Sequence, residues 1–202
     1  MRRILWDVDT QVDFVDPHGK LPVPDAPAAV PAMARLVQAA RAAGIPHIAS
    51  ADDHELTDGE ISESPDFRTT YPPHCLRGTR GAARVPETEQ HDPVPLGLTE
   101  VPARWLRGRE FLLLKKSFDV FTNPNAAGLL ELLDPGEVIL FGVATDVCND
   151  AAIRGLLARR RAVTFVEEAS RGLDEKRTET CTAAWRSEGV RFASVDEIVA
   201  GL

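Results

Sequence analysis

Val138-Ile-Leu-Phe-Gly-Val-Ala-Thr-Asp-Val-Cys148, running on into Asn149-Asp-Ala-Ala-Ile-Arg154, is the stretch that organises this chain. Residues 138–141 form a short apolar run of the length and composition of a buried strand, and the run stops at Gly142. Helical spacing follows from 145 to 160. This order places the Cys148 sulfur in the first turn of a helix, just past the carboxyl end of a strand. Unpaired backbone N–H groups and the positive end of the helix dipole gather there. A thiol in such a setting can have a lowered pKa, and the same N–H groups can hold an oxyanion. A small buried core residue fits the same pattern, so the rest of the chain has to decide.

Outward from this stretch, short apolar strands alternate with helices. Strands are predicted at residues 4–9, 47–50, 111–115, 138–141, 162–166 and 190–195. Helices are predicted at 27–43 with Gly44 as its stop, from the Asn123 cap to 133, at 145–160, and from the Asp174 cap to about 187. Mostly apolar strands alternating with helices predict a parallel sheet buried on both faces. The expected fold is therefore α/β, a three-layer α-β-α arrangement around a mostly parallel sheet of about six strands. Residues 55–110 have poor periodicity and many Pro, Gly and His; an insertion this long in one domain usually serves a function. No Gly-x-Gly-x-x-Gly or phosphate loop follows the first strand, so no nucleotide cofactor is expected.

At 202 residues the chain suits one domain, spanning 1–202. Its formal charge of −8 and lack of a basic stripe argue against a nucleic-acid partner. Cys75, Cys148 and Cys181 form no Cys-x-x-Cys pair, which fits a reducing, cytoplasmic compartment better than a disulfide scaffold. No apolar run is long enough for a membrane span, and no membrane partner is expected.

In an open parallel sheet, ligands bind beyond the carboxyl ends of the strands. The predicted strands end at Asp9, at Asp52 and His54, at Lys115, and at the turn leading to Cys148. An acid to take a thiol proton, a lysine to hold that acid's charge and a thiol to attack a carbonyl make a workable nucleophilic set. Each residue also has a plainer role open to it. Asp9 could cap a turn, Lys115 could pair with a surface acid, and Asp52-Asp53-His54 could be a solvated loop.

Three stretches carry a family resemblance: Trp6-Asp-Val-Asp9-Thr-Gln-Val-Asp-Phe14, Leu114-Lys115-Lys-Ser-Phe-Asp-Val-Phe121 and Phe141-Gly-Val-Ala-Thr-Asp-Val-Cys148. In order and spacing the chain resembles the isochorismatase-like cysteine hydrolases, a superfamily that includes the nicotinamidases. The resemblance implies a catalytic triad of Asp9, Lys115 and Cys148. Lys115 is chosen over Lys116 because family members keep an aromatic six residues after the lysine, where Phe121 stands. It also implies a cis peptide at Val143-Ala144 and an oxyanion hole from the backbone N–H groups of Ala144 and Cys148.

Asp52-x-His54 and Tyr71-Pro-Pro-His74 resemble the nicotinamidase metal motifs, the second of which reads Trp-Pro-x-His in the family. On that resemblance Asp52, His54 and His74 hold a divalent transition metal, zinc, iron or manganese, with Glu60 or Glu63 as an open choice of fourth ligand. Phe14 and Tyr71 then border the substrate ring. The implied activity is cleavage of a small primary amide such as nicotinamide through a thioester. Vinyl ether hydrolysis of the isochorismatase type, N-carbamoyl amide hydrolysis and a non-catalytic module are the alternatives. Relatives of this kind are often oligomers, and a homo-oligomer is expected here. The wording departs from the family at Asp53-His54-Glu55 and at Asn149. Arg68, Arg77 and Arg80 could meet a substrate carboxylate or could simply be solvated.

Overall fold

A computed structural model describes residues 2–202. Strand β1 (Arg3–Val8) sends Ile4, Trp6 and Val8 into one core and Leu5 into another, and all four are buried. A strand apolar on both sides belongs in the interior of a sheet covered on both faces. The sheet has seven strands, all parallel, in the order β3-β4-β2-β1-β5-β6-β7. The others are β2 (His47–Asp52), β3 (Val94–Leu96), β4 (Glu110–Lys115), β5 (Glu137–Val143), β6 (Val163–Arg171) and β7 (Arg191–Phe192). Helices α2 (Ala26–Ala42) and α6 (Val195–Gly201) pack on one face, below the single turn α1 (Val12–Val15). Helices α3 (Pro124–Leu133), α4 (Asp150–Ala158) and α5 (Glu175–Ser187) cover the other.

The expected three-layer α/β fold is present, with seven strands where about six were expected. The added strand is β3, three residues around Pro95 within the stretch that has no readable period. A segment that short carries no alternation signal. The segment 190–195, expected as one strand, supplies two strand residues and then turns. Ser194 accepts from the Glu197 N–H while the Glu197 carboxylate accepts from the Ser194 N–H, a capping box that starts α6. Both sheet edges, β3 and β7, are therefore only three and two residues long.

The order of strands reverses beside β1, whose neighbours are β2 and β5. The crevice at such a reversal is where open α/β sheets bind ligands. The backbones of β1 and β5 close tightly there: Gly142 has φ +130°, and a Cβ on it would sit 2.1 Å from the Val8 carbonyl oxygen. Only glycine fits. None of the described helices is long and apolar enough to cross a membrane.

Candidate active site

Register places the polar groups. Asp52 and Lys115 are paired positions on β2 and β4, and Val8 pairs with both Ser50 and Gly142 on its two sides. Asp9, one residue beyond β1, turns out of the strand at φ 52°. The expected strand 4–9 thus ends one residue early. The turn aims the Asp9 carboxylate across the strand tops, where the Ser50 hydroxyl donates to it at 2.7 Å. Lys115 is wholly buried, and its Nζ lies 2.9 Å from Asp9 Oδ2, 2.5 Å from Asp52 Oδ1 and 3.8 Å from Cys148 Sγ. One ammonium therefore touches the acid, the thiol and the second carboxylate. Lys116 points elsewhere, its Nζ 3.0 Å from Asp58 Oδ2.

Cys148 does not open a regular helix. After β5 the chain makes a cis peptide at Val143-Ala144, as the resemblance implies. It then winds through a wide five-residue turn, Thr145–Asn149, closed by an i→i−5 bond from Asn149 N–H to Ala144 O at 3.0 Å. Single wide turns of this kind often sit at functional sites. The expected helix 145–160 therefore splits into this turn and α4. Asn149, unexplained in the sequence, is buried and its side-chain amide donates to Gly142 O at 3.0 Å. It braces the end of β5 against the turn that carries the sulfur.

The electrostatics correct one expectation. Burial pushes the Cys148 thiol pKa well up; Lys115 pulls it down, but Asp9 and Asp52 push it up again. The thiol at rest is protonated, where a helix-start position predicted a lowered pKa. Burial also raises the Asp9 carboxyl, with Lys115 offsetting part of the shift and Asp52 adding to it. Burial opposes charge on Asp52 too, but Lys115 and the two imidazoles outweigh it and hold that carboxyl well below the usual range. For Lys115 burial is outweighed by Asp52 and Asp9, so its ammonium is firmly charged.

Beside this group, Asp52, His54, Glu60 and His74, all buried, bring one ligand atom each to within 4.8 Å of one another. His74 Nδ1 faces the Pro72 carbonyl at 2.7 Å and His54 Nδ1 faces Asp58 Oδ2 at 3.2 Å. Those contacts occupy Nδ1 of each ring and turn both Nε2 atoms toward Asp52 Oδ2, at 3.8 Å from His54 and 3.5 Å from His74. Asp52 Oδ2 and His54 Nε2 are buried without a hydrogen-bond partner among the described residues. Two imidazoles and two carboxylates converging on one point, with two of their atoms orphaned, fit a divalent transition metal. Glu60 joins this set, and its other oxygen accepts from the Phe118 N–H at 2.7 Å. Glu63 is exposed and stays outside.

A narrow cavity is lined by residues of both groups. Its walls are Phe14, Leu21, Val23, Tyr71, Ala144, Val147 and Leu173, with Cys148 at one end and Asp52, Glu60 and His74 at the other. Both expected ring neighbours, Phe14 and Tyr71, are there. Phe14 tilts against His74 at 5.2 Å between ring centroids. None of Arg68, Arg77 and Arg80, for which two roles were open, lines the cavity. Arg77 is bound to Asp53 and Glu55, Arg80 reaches Asp16, and Arg68 is exposed.

Several supporting residues escaped the sequence reading. Gln11 donates to Asp52 O at 2.7 Å and accepts from Asp52 N–H at 2.7 Å, fixing that residue's backbone from both sides. It stands inside the quoted Asp9-Thr-Gln motif, which was the available signal. Asp146, within Ala144-Thr-Asp-Val-Cys148, accepts from the Leu173 N–H at 2.7 Å and meets Arg177 at 3.0 Å; Arg177 in turn donates to Phe67 O at 3.1 Å. Asp58 has no local pattern that marks it.

Known proteins match this arrangement along nearly its whole length. The nicotinamidase/pyrazinamidase of Mycobacterium tuberculosis (strain ATCC 25618 / H37Rv) is 30% identical over 202 residues, covering 96% of this chain and 97% of that protein. The pyrazinamidase of Pyrococcus horikoshii in complex with zinc superposes with a TM-score of 0.75 at 22% identity, covering 96% of this chain and 99% of that one. An isochorismatase-like hydrolase from Alkaliphilus metalliredigens reaches 0.80 at 20% identity, covering 100% and 99%. Residues 4–96 and 100–197, which hold every residue of the site, match the isochorismatase domain model. The chain belongs to the isochorismatase domain family.

Proposed function

We propose that this chain is a cysteine amidohydrolase that cleaves a small, uncharged heteroaromatic primary amide, with nicotinamide as the leading substrate. The observation that carries the reading is the single Lys115 ammonium joining Asp9, Cys148 and Asp52. It sets a nucleophile and its base directly against the four-residue donor set. The nicotinamidase/pyrazinamidase relative supports the same reading.

Asp9 takes the proton from Cys148 as the sulfur attacks the amide carbon, and Lys115 compensates the negative charge throughout. The backbone N–H groups of Ala144 and Cys148 receive the carbonyl oxygen as it becomes an oxyanion. When the carbon–nitrogen bond breaks, Asp9 returns the proton and ammonia leaves, so a thioester remains. Water then attacks the thioester with Asp9 as base, releasing the carboxylate and restoring the thiol. Asp52, His54, Glu60 and His74 would hold a divalent ion, which supplies a coordination point for a pyridine-type nitrogen. Phe14 and Tyr71 flank the ring.

The cavity lining supports this reading over the two alternatives of the same fold. Isochorismate and N-carbamoyl amino acids carry carboxylates, yet among the described residues no Arg or Lys lines the cavity. Burying an unpaired carboxylate among Leu21, Val23, Val147 and Leu173 is strongly unfavourable. The test is release of ammonia and nicotinate from nicotinamide by the purified, zinc- or iron-loaded protein. Cys148→Ala should abolish turnover. Absence of ammonia from nicotinamide and related ring amides, or full activity without Cys148, would overturn the reading.

A further inference from the structure

Strand β2 changes character along one face. Ile48, Ser50 and Asp52 point to the same side, Ile48 into the apolar core and Asp52 into the donor cluster. Ser50 stands between them, wholly buried, paired with Val8 of β1 and outside the cavity lining. A hydroxyl buried there needs a partner, and Ser50 commits its only proton to Asp9 Oδ1 at 2.7 Å. The Asp9 N–H in turn donates to the Ser50 carbonyl at 3.2 Å. The two residues are thus joined through backbone and side chain at once, at the point where Asp9 leaves β1 with φ 52°. The other carboxylate oxygen is differently placed. Asp9 Oδ2 lies 2.9 Å from Lys115 Nζ, but among the described residues it accepts no hydrogen bond. The same ammonium donates to Asp52 Oδ1 and to Cys148 Sγ.

We infer that Ser50 is a positioning residue for the reaction: by holding Oδ1 it reserves Oδ2 of Asp9 as the atom that takes the Cys148 proton. The inference rests on the amidase reading above. A carboxylate turns about its last bond with only a broad, twofold preference, so one neighbouring ammonium does not fix which oxygen faces the sulfur. The Ser50 hydroxyl fixes it. In the attack the S–H bond breaks, its proton forms an O–H bond to Oδ2, and the electron pair left on sulfur forms the bond to the amide carbon. The proton then passes from Oδ2 to the departing nitrogen as the carbon–nitrogen bond breaks, and Oδ2 is free to act on water in the second half. Oδ1 stays bound to Ser50 throughout. Without the hydroxyl the carboxylate can turn and meet Lys115 through either oxygen, and the base loses its aim on the sulfur.

The test is Ser50→Ala, which removes one oxygen atom and leaves the strand backbone in place. In the metal-loaded variant kcat for nicotinamide should fall by about tenfold to a hundredfold, the scale of one hydrogen bond to a charged group. KM should stay within about twofold of wild type, because Ser50 lies outside the cavity and acts only on the proton transfer. An unchanged kcat, or a loss carried by KM, overturns the inference. The crystal structure of Ser50→Ala is the second measurement and needs no substrate. The Asp9 carboxylate should be turned from its wild-type orientation, with the rest of the strand tops unmoved. A carboxylate that keeps its orientation without the hydroxyl overturns the inference, whatever the kinetics show. A wild type that releases no ammonia from nicotinamide or related ring amides overturns the amidase reading instead, and the orientation of Asp9 in the variant then judges Ser50 separately.

Discussion

Asp52 and Lys115 stand opposite each other on adjacent parallel strands, and their side chains meet with Nζ and Oδ1 2.5 Å apart, both buried. Removing the ammonium leaves the Asp9 and Asp52 carboxylates uncompensated in the interior. Lys115→Met should therefore cost about 3–5 kcal/mol of stability and abolish turnover. Lys116→Met, whose ion pair with Asp58 is partly exposed, should change stability by less than about 1 kcal/mol. Urea melts and amide hydrolysis of the two variants check this. Equal effects would contradict the assignment of roles.

The donor cluster yields a second expectation. Asp58 faces His54 Nδ1 without belonging to the cluster, so Asp58→Asn should weaken metal binding by about tenfold to a hundredfold. Glu60→Gln should weaken it as well, and Glu63→Gln should not. Competition with a chromophoric chelator measures all three. An unchanged affinity in Glu60→Gln would remove Glu60 from the set.

A buried pair away from the cavity gives a pH signature. Asp7 accepts from Thr10 at 2.9 Å and is bound by Arg84 and neighboured by His47. Burial works to raise its pKa, but Arg84 and His47 outweigh it and the carboxyl is held below its usual range. A depressed native pKa contributes stability that is fully present above about pH 3.8 and is lost as pH falls through the native value. Asp7→Asn should be destabilised by about 3–5 kcal/mol at pH 7, and the gap should narrow in acid below pH 3.8. Melts at pH 7 and pH 3 decide; a gap independent of pH would show that the charge is not involved.

Asn149 predicts a separation of kinetic constants. Replacing it with Ala removes the side-chain donor to Gly142 O, costing about 0.5–1.5 kcal/mol. The turn it braces carries Ala144 and Cys148 and lies at one end of the cavity. Turnover should fall more than KM rises, because oxyanion donors act in the transition state. Steady-state kinetics of Asn149→Ala provide the check; a change confined to KM would refute it.

Arg177 predicts the reverse. It links Asp146 to the Phe67 carbonyl and touches none of the reacting groups. Arg177→Ala frees the loop that carries Tyr71, so KM should rise several-fold with little change in kcat. A large loss of kcat at unchanged KM would mean that the link acts on the nucleophile turn.

How much of this was legible in the sequence follows from what fixes each group. Asp9, Asp52 and Lys115 stand at or just past the ends of apolar strands, and strand ends can be read from hydrophobic patterning. The adjacent positions Asp52 and Lys115 in the register then follow from the parallel fold. Glu60, Tyr71 and His74 lie in the stretch 55–110, whose placement comes from isolated bridges such as Ile61 with Tyr71 and from capping carboxylates. Such contacts have no period, so only the family motif pointed to His74, and it left Glu60 and Glu63 equal. The Cys148 environment was misread for a physical reason. A helix-start argument counts the local dipole, but full burial and two neighbouring carboxylates count for more. Asn149 looked anomalous because its partner, Gly142 O, is exposed by the end of a strand and not by any helix periodicity.

The brevity of the outermost strands has a consequence for how copies of this chain can meet. β3 offers three residues of free edge and β7 two. A second molecule that tried to continue the sheet would gain almost no ladder, and the route from native protein to stacked β-aggregate is blunted at both ends. Contacts between copies must be made by side chains, for which the outward-facing Trp105 and Leu98 are available near the β3 side.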